Sequence, residues 1–237
     1  MSQTTHSPTD IALHTAPSFV DTVRRRQSYR DFLPAPVPGP LLREVLTDAQ
    51  CSPSNCNTQP WNMHIVSGQT RQDLSRALHE ANKQGQVSPD FFWDEKAYRG
   101  AYGERRQEQG GIYYRNLGVA RDDLDGRAAA GARNFSFFGA PHVAMLFMPT
   151  VGDGVRVAGD LGMYGQTFLL ALAARGLGGV PQTVLGLYAD TVRDVLGISP
   201  DLKLLYGISF GYPDLGAASN RTPMGRADLS ESVTFHS

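Results

Sequence analysis

Two short stretches of this chain carry side chains suited to holding a ligand rather than filling a core. The first, Cys51-Ser-Pro-Ser-Asn-Cys-Asn-Thr-Gln-Pro-Trp61, crowds neutral hydrogen-bonding groups around two prolines and ends on tryptophan. Ser52, Ser54, Asn55, Asn57, Thr58 and Gln59 offer uncharged donors and acceptors, while Pro53 and Pro60 restrict φ, so the polar groups stand in a preset geometry. Such a loop suits a flat, hydrogen-bonding heterocycle. The second stretch, Arg24-Arg-Arg-Gln-Ser-Tyr-Arg30, is cationic. The arginine triplet alone fits a solvated helix end. In an extended segment, however, alternate side chains share one side, so Arg26, Ser28 and Arg30 project together. Guanidinium forks for charge and a hydroxyl for a remaining oxygen are what a phosphate group needs.

Other chemistries find no support. Only Cys51 and Cys56 are present, at a spacing that matches neither C-x-x-C nor a paired zinc framework, and the six histidines form no metal-ligand pattern, so no metal is expected. No Gly-x-x-x-x-Gly-Lys-Ser/Thr and no Gly-x-Ser-x-Gly occurs, and Gly176-Leu-Gly-Gly179 follows a helical pattern rather than a strand. A net charge of −1 gives no general attraction to nucleic acid or anionic lipid. No run of about 18 apolar residues suggests a membrane span. The first residues lack the basic start and apolar centre of a secretory signal, so a cytoplasmic protein is expected.

The elements that must position these stretches follow from spacing. A length of 237 residues, 41% apolar and 19% charged, suits one large domain. A disordered tail is expected over residues 1–17, and a single domain over 18–237. Ser18 caps a helix running to about Arg26, with Phe19 and Val23 on its apolar face. Pro34, Pro36, Pro38 and Pro40 space an extended connector, after which Leu41, Leu42, Val45, Leu46 and Ala49 recur at helical intervals and lead into the polar loop. Trp61–Val66 reads as a strand, and Thr70 as the cap of an amphipathic helix ending at Gly85. Residues 86–140 are rich in aromatics without a clean helical period over much of their length, which suggests a lid over a planar ligand. Pro141–Met148 is a strand buried on both faces. From Asp153 or Gly154 runs the longest helical pattern, apolar nearly all round and so expected to be buried, ending at Gly176. Asp190 caps a short helix to Gly197, Leu204–Phe210 is a strong strand, and Val233–Phe235 could add another.

In their order along the chain, Arg26-x-Ser28-x-Arg30 and Pro53-Ser54-Asn55-x-Asn57-x-Gln59-Pro60-Trp61 resemble the two N-terminal signatures of the FMN-dependent nitroreductase family. The resemblance covers about Ser18 to Phe235 and is greatest to members that reduce nitrobenzoates. It implies an α+β fold: three α/β/α layers, a central, mainly antiparallel sheet, a long buried helix at a homodimer interface, and a C-terminal strand exchanged with the partner. It implies FMN held by Arg26, Gln27, Ser28 and Arg30, and by Pro53, Ser54, Asn55, Asn57 and Gln59 reaching in from the neighbouring subunit. Gly178-Gly-Val-Pro-Gln-Thr183 resembles the family's loop after the long helix, in which Pro181, Gln182 and Thr183 would bring backbone amides to the reactive ring edge. Several relatives have Cys-Pro-Gln where this chain has Val180-Pro181-Gln182. Near the other end Arg226, with Arg221 as a second candidate, would complete the phosphate site. NADPH or NADH would deliver a hydride in a ping-pong cycle to a nitroaromatic compound, with Tyr102, Tyr113, Phe135 and Phe138 as substrate-lid candidates and no side chain acting as a nucleophile. The same fold also supports reduction of quinones or activated alkenes and dehalogenation, and a non-catalytic flavin-binding module is the alternative of a different class.

Overall fold

Ser18 opens the first helix, α1 (Phe19–Arg25), by accepting a hydrogen bond from the Asp21 N–H at 3.1 Å. The computed structural model describes residues 17–237, so the expected tail lies outside the described residues except for Pro17. Helix α2 (Gly39–Ala49) follows the proline connector, with Pro40 in the first turn, where a missing N–H removes no helical bond. Strand β1 (Asn62–Ser67), helices α3 (Gly68–Lys83), α4 (Ala101–Asn116) and α5 (Leu124–Ala132), strand β2 (His142–Pro149), helix α6 (Val155–Ala173), strand β3 (Gly178–Gln182), helix α7 (Ala189–Leu196) and strand β4 (Leu202–Gly211) complete the order.

The strands form one antiparallel sheet in the order β1-β2-β4-β3. Strand β2 shows why it sits inside: Ala144, Leu146 and Met148 point to the layer of α2 and α6, and Val143, Met145 and Phe147 to that of α3 and α7. A nearly continuous apolar run is what a strand covered on both faces requires. The three layers are therefore α, β and α. A third cluster, Phe32, Tyr113, Ala130, Phe138, Ala140 and Val180, seats α4 and α5 beside the β3 edge. No helix among the described residues is long and apolar enough to cross a membrane.

Several expectations need correction. Residues 86–140 contain α4 and α5; among the residues of α4 only Gly103 and Tyr113 are buried, so the helix carries almost no apolar stripe from which to read its period. Helix α6 is not buried all round: Val155, Gly159, Gly162, Met163 and Gln166 form an exposed row turned away from the sheet. The apolar side chains of α1 are likewise uncovered, with Phe19 at 75% and Val23 at 42% exposure. Thr70 lies in the first turn of α3, because Ser67 takes the cap position. Asp190 lies in the first turn of α7, where its carboxylate pairs with Arg193. Val233–Phe235 pairs with no strand among the described residues, and residues 221–237 hold only a single 3₁₀ turn, Leu229–Glu231.

The Ser67 hydroxyl leaves its helix uncapped and instead meets Nδ1 of His142 at 2.5 Å. Nε2 of the same buried ring accepts the Val37 N–H at 2.9 Å, so the ring is neutral and its proton sits on Nδ1. Burial, reinforced by the charge of Arg71, lowers the His142 pKa below its ordinary value. A depressed histidine pKa means that the unfolded chain takes up its proton first as pH falls through about 6.5. Stability is thus full above that value and declines on acidification until the folded ring also protonates. The melting temperature is expected to fall between pH 7 and pH 5, with a shallower slope in His142→Asn; equal slopes in a pH series of melts would contradict the assignment.

Candidate functional site

The chain between α1 and α2 runs as an extended strap across the β3 edge, with Ser28 in a parallel bridge to Gly179 and Phe32 bridged to Pro213. This settles the role of the two glycines after α6. The turn itself is made by Gly176, at φ 72°. Gly178 and Gly179 lie in strand β3 rather than in the expected loop, and only Thr183 stands beyond the strand, at the start of a 3₁₀ turn. A Cβ on Gly178 would meet the Tyr29 ring at 2.4 Å, and one on Gly179 would meet Leu169 at 2.8 Å. The strap and α6 close on β3 from two sides because these side chains are absent. Gly178→Ala is expected to cost about 1–3 kcal/mol by overpacking, whereas Gly131→Ala, with open space around its Cβ, should gain about 0.5–1 kcal/mol. Urea midpoints separate the two.

At the near end of the strap, Arg26 meets the opposite end of the chain. Its pKa is lowered first by burial and then by the charge of Arg226, partly opposed by Tyr29. Two guanidiniums two hundred positions apart are thus near enough to repel, that of Arg226 being exposed and donating to the Met224 and Gly225 carbonyls of its own loop at 3.1 and 2.7 Å. Neither forms an ion pair with a carboxylate among the described residues, and the Ser28 hydroxyl has no hydrogen-bond partner there. Like charges brought together without a counter-ion fit a doubly negative phosphate. Arg30 differs: its guanidinium lies over the Tyr113 ring, 5.3 Å from the centroid, and burial lowers its pKa, partly opposed by Tyr113. Arg221 is exposed.

The polar loop is rigid in the way its prolines suggest, and more strained. Cys56, Asn57 and Gln59 adopt left-handed φ values of 51°, 54° and 48°. The Gln59 N–H donates to Ser54 Oγ at 2.9 Å, and the Asn55 N–H donates to the buried carboxylate of Asp160 at 3.0 Å. Trp61 closes the loop by stacking on Tyr164, with centroids 4.7 Å apart. The loop is thus built on α6, beside its exposed row. Among the described residues it makes no hydrogen bond to the strap, so one chain does not join the two motifs. Strain of this kind, held by surrounding bonds, concentrates where a ligand must be met in one geometry.

The side chain of Gln182 is interior. Its Nε2 donates to the Asn134 carbonyl at 3.0 Å, and its Oε1 accepts from Ser209, leaving only backbone for contact outside. Pro181 and Thr183 are exposed. Of the four lid candidates, Tyr102 is open to solvent at 69%, whereas Tyr113, Phe135 and Phe138 are buried. Phe135 packs edge-on to Tyr188 in the sheet core and Phe138 lies against the third cluster, so the lid expectation is corrected for both.

The sequence reading misses Asp31, Arg133, Asp160, Ser219 and Asn220. The Arg133 guanidinium donates to the Arg30 carbonyl at 2.9 Å and to Asp31 Oδ1 at 2.5 Å, and Ser219 Oγ donates to Asp31 Oδ2 at 2.5 Å. Asn220 Oδ1 accepts the Arg30 N–H at 2.7 Å. Asp160 alone left a signal, as a carboxylate on the otherwise apolar row of α6 that includes Val157, Leu161 and Tyr164.

Comparison with known proteins bears on this geometry. The Nitroreductase family model matches residues 23–212. The chain is 42% identical over 228 residues to Nitroreductase NfnB of Mycolicibacterium smegmatis, covering 96% of this chain and 97% of that one. It is 32% identical to a 4-nitrobenzoate reductase of Pseudomonas putida, covering 88% and 91%. The crystal structure of the FMN-dependent nitroreductase NfnB from Mycobacterium smegmatis in complex with NADPH superposes with a TM-score of 0.88 at 43% identity, over 92% of this chain and 97% of that one. The FMN and NADPH-dependent nitroreductase NfnB from Sphigopyxis sp. strain HMH gives 0.90 at 32%, over 93% and 100%.

Proposed function

The chain belongs to the nitroreductase family, and from that premise we propose that it is an FMN-dependent oxidoreductase that uses NADPH or NADH to reduce nitroaromatic compounds. The observation that carries the reading is the nearness of Arg226 to Arg26, cations without acidic partners among the described residues, beside a strap that also bears Ser28. FMN, when bound, supplies the two-electron chemistry, accepting a hydride from the nicotinamide and passing it to the nitro group. The chain's own residues bind and orient. Arg26, Ser28 and Arg226 hold the phosphate, Arg30 adds positive charge over Tyr113, and Gln27 and Arg221 flank them. Pro181, Gln182 and Thr183 contribute backbone at the ring edge, where side-chain identity matters less than path. Of the four lid candidates, Tyr102, exposed on α4, is the one available to cover a flat substrate; Tyr113 instead supports Arg30. No side chain is needed as a nucleophile, and solvent supplies the protons.

The working unit is a homodimer. Supporting this are the uncovered apolar face of α1, the exposed row of α6 with its two glycines, and the polar loop beside that row, bonded to α6 but not to its own strap. Pro53, Ser54, Asn55, Asn57 and Gln59 then serve the partner's flavin, and the unpaired C-terminal segment crosses to the partner. Exposed free Cys51 and Cys56 suit a reducing, cytoplasmic setting.

Purified protein is expected to be yellow, to bleach on anaerobic mixing with NADPH and to recover its colour with 4-nitrobenzoate. Colourless protein that takes up no FMN would end this reading. Bleaching with NADPH but recovery only with a quinone would keep the flavin and displace the nitroaromatic substrate.

A further inference from the structure

The strap and the C-terminal segment meet at a buried amide, next to the Phe32–Pro213 bridge and the bond from the Leu33 N–H to the Tyr212 carbonyl. Asn220 is 8% exposed, and three of its hydrogen-bonding positions are engaged. Oδ1 accepts the Arg30 N–H at 2.7 Å, and Nδ2 donates to the carbonyls of Asp31 at 2.9 Å and Asp214 at 2.8 Å. Around it, the Asp214 N–H donates to the same Asp31 carbonyl at 3.1 Å, Ser219 Oγ donates to the Asp31 carboxylate, and Arg133 donates to that carboxylate and to the Arg30 carbonyl. Its three short bonds all go to backbone groups of one or the other segment, and its one side-chain partner is the neighbouring Ser219 Oγ, which donates to Oδ1 at 3.4 Å, so the side chain binds no ligand itself. It fixes the register between residues 26–31, which carry Arg26 and Ser28, and residues 214–226, which carry Arg226.

We infer that Asn220 is a positioning residue for the flavin phosphate: it clamps the two chain segments so that Arg26, Ser28 and Arg226 face a common point. This rests on the FMN reading above and deepens it. The geometry demands an amide. A carboxylate at this position has no N–H for the carbonyls of Asp31 and Asp214, and alanine leaves the Arg30 N–H without its partner and takes from each carbonyl one of its two donors, the Asp214 and Ala217 N–H groups remaining. The two cations it aligns repel each other, so without a clamp the segments would separate until a phosphate drew them together. Pre-alignment moves that ordering cost from the binding step to folding.

The role predicts a signature that general loosening does not produce. Asn220→Ala should weaken FMN about ten- to hundredfold while changing riboflavin, which lacks the phosphate, severalfold at most. The loss should largely vanish when Arg226→Gln is already present, because Asn220 acts through the placement of that arginine. Equilibrium flavin-fluorescence titrations of apoprotein, for wild type, each single variant and the double variant, read both quantities. If FMN and riboflavin weaken equally, or if the two substitutions add, Asn220 is a structural residue only and the inference is overturned. Ser219→Ala, which trims only the hydroxyl on Asp31, covers the case in which Asn220→Ala fails to fold: it should lower the FMN-to-riboflavin affinity ratio in the same direction, and an unchanged ratio overturns the clamp. Wild-type protein that binds neither flavin would sink the FMN reading itself, a result distinct from all of these.

Discussion

Arg226→Gln and Arg26→Gln are each expected to weaken FMN about ten- to hundredfold, because each removes a charge-assisted bond to phosphate worth about 1.5–3 kcal/mol. The same variants should leave the apoprotein as stable as wild type or slightly more so. Burial is the main cause of the lowered Arg26 pKa, but the repulsion from Arg226 that adds to it disappears with either partner, and nothing acidic is left unpaired. Affinity and stability therefore move in opposite directions, as happens where a site is built at the expense of the fold. Raising the salt concentration should weaken FMN in wild type and have less effect in the variants, since part of the attraction is between full charges near the surface. Titration of apoprotein with FMN, alongside its melting curve, checks both halves. Wild-type FMN affinity in Arg226→Gln would remove the C-terminal arginine from the site.

Asp90→Ala should have the largest effect on stability, about 3–5 kcal/mol, the cost of stripping a buried guanidinium of its buried partner, leaving it only the exposed Asp190 carboxylate, and of orphaning the Leu204 N–H. Side-chain exposure is 6% for Asp90 and 9% for Arg193. The pair is two-pronged, at 2.6 and 3.1 Å, and Asp90 also accepts the Leu204 N–H at 2.7 Å. Burial pushes the Asp90 carboxyl up, but the bonds from Arg193 and Leu204 and the charges of Arg193 and Lys203 together hold it below its ordinary value. A depressed carboxyl pKa stabilises the fold above the unfolded value near 3.8 and loses that contribution only as pH falls through the folded value. Across pH 5–8 the pair should therefore add no slope to stability. A loss of this size is a large share of the total for a domain. The consequence also reaches the proposed lid, because Asp90 and the Ser88–Tyr188 bridge root residues 86–90 on α7 and β4, and Phe91 to Trp93 follow directly. Urea unfolding measures the loss, and a midpoint within experimental error of wild type would contradict it.

Much of the scaffold was legible because burial writes itself into periodicity. Leu41 to Ala49, Val157 to Leu172 and Leu204 to Phe210 each bury a face and repeat at the interval of their element. Helix α4 was not legible, since it buries too little to impose a pattern. The phosphate strap could be read because its chemistry is local: alternate positions of one extended segment carry it. The clamp at Asn220 could not, because its meaning lies in partners nearly two hundred positions away that share no pattern with it. Phe135 and Phe138 mislead for the opposite reason. An aromatic ring looks the same in a core and over a ligand, and only packing distinguishes the two. The exposed row of α6 shows a related limit, since a glycine-rich helix face is compatible with both a closed interior and a molecular boundary.

The bond between Arg30 and Asn220 has a further consequence, for the order of events during synthesis. The strap's bonds all wait for later residues: Arg133 for the Arg30 carbonyl and Asp31, Gly179 and Pro213 for the bridges at Ser28 and Phe32, and Asn220 for the Arg30 N–H. At roughly 5–20 residues per second, the interval between Arg30 and Arg226 is about ten to forty seconds. During that time the sheet and both helical layers can assemble, while the phosphate-binding arginines remain apart. Cofactor capture is thus deferred until Asn220 and Arg226 have emerged, and a nascent chain cut short before Asn220 is expected to be a folded sheet that cannot retain its flavin.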